Sequence, residues 1–200
     1  MEYPADLWNE HYSKEEFRYG KEPNLFFKEQ LDKLITGNIL LPAEGEGRNA
    51  VYAASAGWKV MAFDISEKGR EKAIRLSKEN NVSINYKVIG VLDFQSDEHF
   101  DAIGLCYAHL PIKIRNKAFN RLIQFLKPQG TVIFEAFAKA QLGKLSGGPK
   151  NETMLFSIED IKNEFQQLDF IYLREETVEL SEGKYHQGEA EVIRFLGTKR

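Results

Sequence analysis

The sequence has one cysteine, Cys106, among its 200 residues. No intramolecular disulfide can form and no paired-cysteine metal site exists, so a reducing compartment is expected. No run approaches the roughly 18 apolar residues that a membrane span requires. Met1 to Asp6 lacks a basic segment leading into an apolar one, which argues against a signal peptide. The expected location is the cytoplasm. Positive charge is not in excess either, the formal net charge being -3. Nucleic-acid and membrane partners are therefore disfavoured, and a small-molecule partner for a monomer or homodimer is expected. Several catalytic signatures are missing as well. There is no GxSxG elbow, no GxxxxGK[ST] phosphate loop and no HExxH pair. The four histidines are scattered, so no metal site is expected.

What is present is a rhythm. Leu7 to Phe17 and Leu25 to Leu34 place apolar residues near helical spacing. The pattern then alternates. Asn38–Pro42 reads as a strand, Gly45 to Gly57 as a glycine turn opening a small-residue helix, and Lys59–Phe63 as a second strand. Ser66 caps a charged helix to about Asn80. Ile84–Val91 and Phe100–Cys106 follow as strands, then a helix over Ile112–Leu126 stopped by Pro128 and Gly130, then a strand over Thr131–Phe137. This order predicts right-handed crossovers and a parallel sheet covered on both faces. After a long loop over Ala138–Thr153, Ser157 caps a last helix to about Leu168. Phe170–Leu180 and Lys184–Leu196 read as a hairpin turned at Ser181-Glu182-Gly183. The expected fold is α/β: a Rossmann-like, doubly wound, mostly parallel sheet of about seven strands, with helices on both faces and a C-terminal antiparallel hairpin. One domain over residues 1–200 is expected. It divides into a helical preamble (1–36), a cofactor-binding core (37–137) and a substrate-side loop, helix and hairpin (138–200).

The turn Ala43–Asn49 (AEGEGRN) follows the first strand and opens the first crossover helix. Its glycines permit close approach of a ligand to the backbone, and the helix N–H groups face the crevice. Asp64 ends the second strand, where a carboxylate accepts ribose hydroxyls. Asp93 follows the third strand, beside the place of an adenine ring. Gly45-x-Gly47-x-x-Ala50 fits a dinucleotide fingerprint, so spacing alone admits NAD and S-adenosylmethionine alike. Charge favours the second. A pyrophosphate at this turn would meet Glu44 and Glu46, and two like charges about 4 Å apart cost about 4 kcal/mol at an effective dielectric near 20. S-adenosylmethionine brings a sulfonium and an ammonium instead. No tyrosine is followed four positions later by lysine, which further disfavours hydride transfer.

The runs Leu40–Gly57 (LLPAEGEGRNAVYAASAG), Val60–Ser66 (VMAFDIS), Phe100–Pro111 (FDAIGLCYAHLP) and Leu126–Gly130 (LKPQG) resemble motifs of the class I S-adenosylmethionine-dependent methyltransferases. The nearest subgroup resembles the tellurite-resistance and thiopurine methyltransferases. The resemblance implies S-adenosylmethionine as cofactor, with Gly45 and Gly47 under its methionine and ribose, Asp64 on the ribose and Ile65 on an adenine face. Asp93 and Phe94 would flank the adenine. Cys106 and His109 would face the methyl group. The rest of the turn, Glu44, Glu46, Arg48 and Asn49, joins the expected cofactor contacts. Ala43 stands where the family has its first glycine, and Leu41 where it has an acid that Glu44 would replace.

Trp8, Tyr12 and Tyr19 form either a lid over the cofactor or a staple between an N-terminal helix and the sheet. The implied reaction is methyl transfer to a small-molecule acceptor, among which a soft thiol or chalcogen nucleophile needs no protein base. An oxygen or amine acceptor needs one, and His109 and Glu135 are the candidates. His186, beyond the hairpin turn, reads as a surface residue. An NAD-dependent oxidoreductase and a non-catalytic S-adenosylmethionine-binding protein are the alternatives.

Overall fold

The computed structural model describes residues 5–200; residues 1–4, part of the stretch whose composition argues against a signal peptide, lie outside the described residues. Two short helices, α1 (Ala5–Tyr12) and α2 (Leu25–Leu31), precede an alternating series. That series runs β1 (Asn38–Pro42), α3 (Arg48–Ser55), β2 (Lys59–Asp64), α4 (Glu67–Glu79), β3 (Asn85–Val88), β4 (Phe100–Cys106), α5 (Ile112–Gln124) and β5 (Leu126–Phe137). Helix α6 (Ile158–Glu164) and the strands β6 (Leu168–Glu182) and β7 (His186–Lys199) complete the chain.

The seven strands form one sheet in the order β3-β2-β1-β4-β5-β7-β6. The pairs β2–β3, β1–β2, β1–β4 and β4–β5 are parallel, while β5–β7 and β6–β7 are antiparallel. Strand order reverses between β1 and β4, and open α/β sheets bind ligands outside the carboxyl ends at such a switch point. Consecutive residues of β1 serve opposite faces. Leu40 packs with Ile103, Phe119 and Phe134, whereas Leu41 packs with Phe27, Ala50 and Ile133. Gly104 on β4 makes room for the second layer, since a Cβ there would lie 2.5 Å from Leu41 Cδ2 and 2.6 Å from Phe27 Cε2.

Local chemistry accounts for several boundaries. The Ser66 hydroxyl accepts from Gly69 N–H and caps α4. Ser157 and Asp160 form a reciprocal capping box on α6. Asn24 caps α2 by accepting from Phe27 N–H at 2.8 Å. Elsewhere the boundaries differ from the sequence reading. Helix α1 stops at Tyr12, and residues 13–24 cross the carboxyl end of the sheet as an irregular strap. Strand β3 is shorter than Ile84–Val91. Helix α5 ends at Gln124, and β5 starts at Leu126, with a register break between Phe100/Leu126 and Ala102/Thr131. The loop after β5 contains two single 3-10 turns, Lys139–Gln141 and Glu152–Met154. The hairpin strands run on to pair Glu182 with His186, so Glu182 belongs to β6 and the reversal falls at residues 183–185. Among the described residues, no helix is long and apolar enough to cross a membrane.

Candidate active site at the carboxyl ends of the central strands

The glycine turn leaves β1 with Ala43, Gly45 and Gly47 at positive φ (52°, 59° and 86°). Gly47 is required for packing, because a Cβ there would collide with Ala73 of α4. Gly45 faces the preamble instead. A Cβ on it would stand 2.6 Å from the Tyr12 hydroxyl oxygen, so the end of α1 lies over the turn. The Gly45 carbonyl accepts from the Tyr86 hydroxyl at 2.6 Å, which fixes the turn from below.

Two buried carboxyls flank this turn. Asp64 accepts from Gly45 N–H at 3.0 Å and from Ser66 N–H at 2.9 Å. Burial raises its pKa to about 6, against the opposing pull of those N–H groups. Glu44 accepts from Ala50 N–H at 2.7 Å, in the first turn of α3, whose capping residue Gly47 has no side chain to offer. Burial raises Glu44 to about 7. Each carboxylate oxygen has two lone pairs, so neither group is saturated by these contacts. Glu46 behaves differently. It is buried, ion-paired with Lys72, and accepts from Arg18 N–H at 2.8 Å. Its charge is thus neutralised within the protein, and the electrostatic case against a pyrophosphate rests on Glu44 and Asp64. Leu41 is wholly buried in the core and presents no polar group to the crevice. A ligand carrying an ammonium and a ribose diol fits this pair: the first relieves a desolvated Glu44, and the second donates to Asp64.

The strap and the hairpin tip close the site from the other side. Asn24 Nδ2 donates to Glu135 Oε1 at 2.6 Å and to Glu182 Oε1 at 3.1 Å. Asn24 N–H donates to Asn49 Oδ1 at 2.9 Å. Arg48 Nη2 donates to Glu182 Oε2 at 2.9 Å, and Arg48 Nη1 donates to the Tyr19 carbonyl at 3.1 Å. Glu135, with no exposed surface, also accepts from the Tyr107 hydroxyl at 2.6 Å and from Arg194 Nε at 2.5 Å. Gly183 at the hairpin turn packs against Tyr19 and Gly20 so closely that a Cβ would overlap the strap backbone. Asn24, Tyr107, Glu182 and Arg194 were not singled out from sequence. The only signal was the position of Tyr107 just beyond β4; Glu182 seemed to be a turn residue.

The remaining candidates are dispersed. His109 is held at both nitrogens: Nδ1 contacts the Met154 carbonyl at 2.8 Å, and Phe137 N–H donates to Nε2 at 3.3 Å. Burial lowers its pKa to about 4. His109 thus offers no free lone pair to an acceptor in this conformation, contrary to its expected role as base. Glu135 is similarly engaged at both oxygens. Burial, then the Glu135 and Glu44 carboxylates, push the Cys106 thiol well up. Ile65 is half-buried and Asp93 exposed, beside the third strand. Phe94 is fully buried, stacked on Phe63 at 4.5 Å, and its face is not free for an adenine. Trp8 stacks on Tyr12 with centroids 5.5 Å apart. His186 is 4% exposed, which corrects its reading as a surface residue. Among the described residues no cluster of three or more metal-ligating side chains occurs.

Strand order, the antiparallel C-terminal pair and the switch point between β1 and β4 define the class I methyltransferase fold. Residues 39–130, just under half of the chain, match a family described as a methyltransferase domain. In those residues the chain is similar to that domain, and its fold is similar to that of the class I S-adenosylmethionine-dependent methyltransferases. It is similar to TehB from Haemophilus influenzae, at TM-score 0.74 and 14% identity, covering 98% of this chain and 67% of that one. It is also similar to the N-methyltransferase NodS from Bradyrhizobium japonicum WM9 in complex with S-adenosyl-L-homocysteine, at TM-score 0.67 and 12% identity, covering 98% and 97%. At these identities the likeness is one of fold. A ubiquinone biosynthesis O-methyltransferase of Rickettsia akari (strain Hartford) is 27% identical over 97 residues. That stretch spans 48% of this chain and 39% of the relative.

Proposed function

We propose that this chain is an enzyme that transfers a methyl group from S-adenosylmethionine to a small-molecule acceptor. One observation carries the reading: two buried carboxyls with raised pKa, Glu44 and Asp64, stand at the ends of adjacent parallel strands beside a glycine turn. Such carboxyls are destabilised until a cation or hydroxyl donors reach them. When bound, S-adenosylmethionine supplies an already activated methyl group. The residues of the chain have simpler tasks. Asp64 accepts from the ribose, Glu44 neutralises the ammonium, and the positive-φ turn brings the backbone close. The preamble, with Trp8, Tyr12 and Tyr19, excludes water from above. Positioning of this kind supplies much of the rate for a pre-activated donor. A soft thiol or chalcogen acceptor would require nothing more; a protic acceptor would require a base.

Thermal shift with S-adenosylhomocysteine and with NAD tests the reading. Stabilisation by the first alone, growing with the logarithm of ligand concentration above Kd, is expected. Stabilisation by NAD alone would refute it and return the oxidoreductase reading.

A further inference from the structure

We propose that His186, oriented by Glu182, is the general base of the site, and that the acceptor is therefore a protic group, a hydroxyl or an amine, that must lose a proton on methylation. The inference rests on the methyl-transfer reading above. His186 Nδ1 lies 3.1 Å from Glu182 Oε2. A carboxylate only accepts, so Nδ1 carries the hydrogen and the lone pair of the neutral ring falls on Nε2. Among the described residues no hydrogen bond is made to Nε2, and Nε2 is not among the polar atoms sealed from solvent without a partner. His109, by contrast, has both nitrogens occupied.

The dyad is joined to the site by contacts from several elements. Glu182 on β6 is held by Arg48, in the first turn of the helix that opens at the glycine turn. The imidazole packs on Tyr107 just past β4 at 4.5 Å, on Tyr19 of the strap at 4.4 Å and on Phe137 at the end of β5 at 5.2 Å. The charged and titratable groups around it are thus Glu182, Arg48, Tyr19, Tyr107, Glu135 and His109, the last itself held neutral by burial. Burial lowers the pKa of His186 more than Glu182 raises it, which keeps the ring neutral and able to accept near neutral pH. Against burial, the His186 and Arg48 contacts hold Glu182 down at about 2, so the orienting group stays ionised. In the balance of the reaction the acceptor heteroatom gains a methyl and gives up its proton to His186 Nε2. The sulfonium donor leaves as a neutral thioether, and the proton passes to solvent.

Three readouts test this on the full chain. Nitrogen-15 spectra of the histidine-labelled protein should show His186 as the Nδ1–H tautomer, and Glu182→Gln should relax that preference. Calorimetry should give S-adenosylhomocysteine affinities within about twofold of each other for wild type and His186→Gln. With catechol and an aromatic amine as probes, His186→Gln should lower turnover by about 10²–10⁴-fold, and a thiophenolate probe should lose at least about tenfold less than the protic probes. An Nε2–H tautomer in the wild type, or full turnover of the protic probes by His186→Gln, would overturn the proposal. Failure of the wild type to bind S-adenosylhomocysteine would instead retire the methyl-transfer reading on which it stands.

Discussion

Glu44 and Asp64 are carboxyls transferred from water to the ends of two strands, and burial raises both, to about 7 and about 6. A carboxyl raised in the folded state still holds a proton that the unfolded chain has released. Their contribution to the stability of the ligand-free chain therefore falls as pH rises from the ordinary carboxyl range through these values. The buried imidazoles of His109 and His186, held below their ordinary value, pull the other way, so the carboxyl contribution is read as a difference: Glu44→Gln should gain urea stability relative to wild type on going from pH 5 to pH 8. A ligand that donates to ionised Asp64 makes charge-assisted hydrogen bonds worth roughly 1.5–3 kcal/mol. Asp64→Asn should therefore weaken S-adenosylhomocysteine binding by about 10- to 100-fold in calorimetry, with a native circular dichroism spectrum.

At the scale of elements, legibility followed the range of the forces involved. Strands β1 and β4 matched the sequence reading residue for residue, because a short apolar run bounded by turn residues is a local signal. The Ser66 and Ser157 caps were legible for the same reason, and Ser157→Ala should cost about 1 kcal/mol in urea unfolding. The hairpin was legible in kind but not in length. Its last pair, Glu182 with His186, is fixed by contact with the strap and Arg48, distant in sequence, so a glycine after an acidic residue looked like the turn itself. Gly104 belongs to the same class of hidden constraint. A side chain at that position is excluded by Leu41 and Phe27, and Gly104→Ala should overpack that layer at a cost of about 1–3 kcal/mol.

For the whole molecule, the carboxyl end of the sheet is closed by segments from both ends of the chain. Lys72 donates to the Lys14 carbonyl at 2.9 Å and the Glu16 carbonyl at 2.6 Å, while Arg48 and Asn24 tie the strap to the hairpin. The turn, Asp64 and the sheet were legible because they share one crossover. The opposite side of the crevice was legible only at Glu135, since Asn24, Tyr107, Glu182 and His186 join it only through tertiary folding. If this strap closes over bound cofactor, S-adenosylhomocysteine should slow tryptic cleavage after the exposed Lys14; an unchanged cleavage rate would leave the preamble a staple.

The most direct test is calorimetric titration of S-adenosylhomocysteine between pH 5.5 and 8 in buffers of differing ionisation heat. Binding should release protons below about pH 7, as Glu44 and Asp64 ionise, and affinity should rise with pH and then level off. Binding without proton release, or affinity that falls over this range, would contradict a cofactor seated on these two carboxylates.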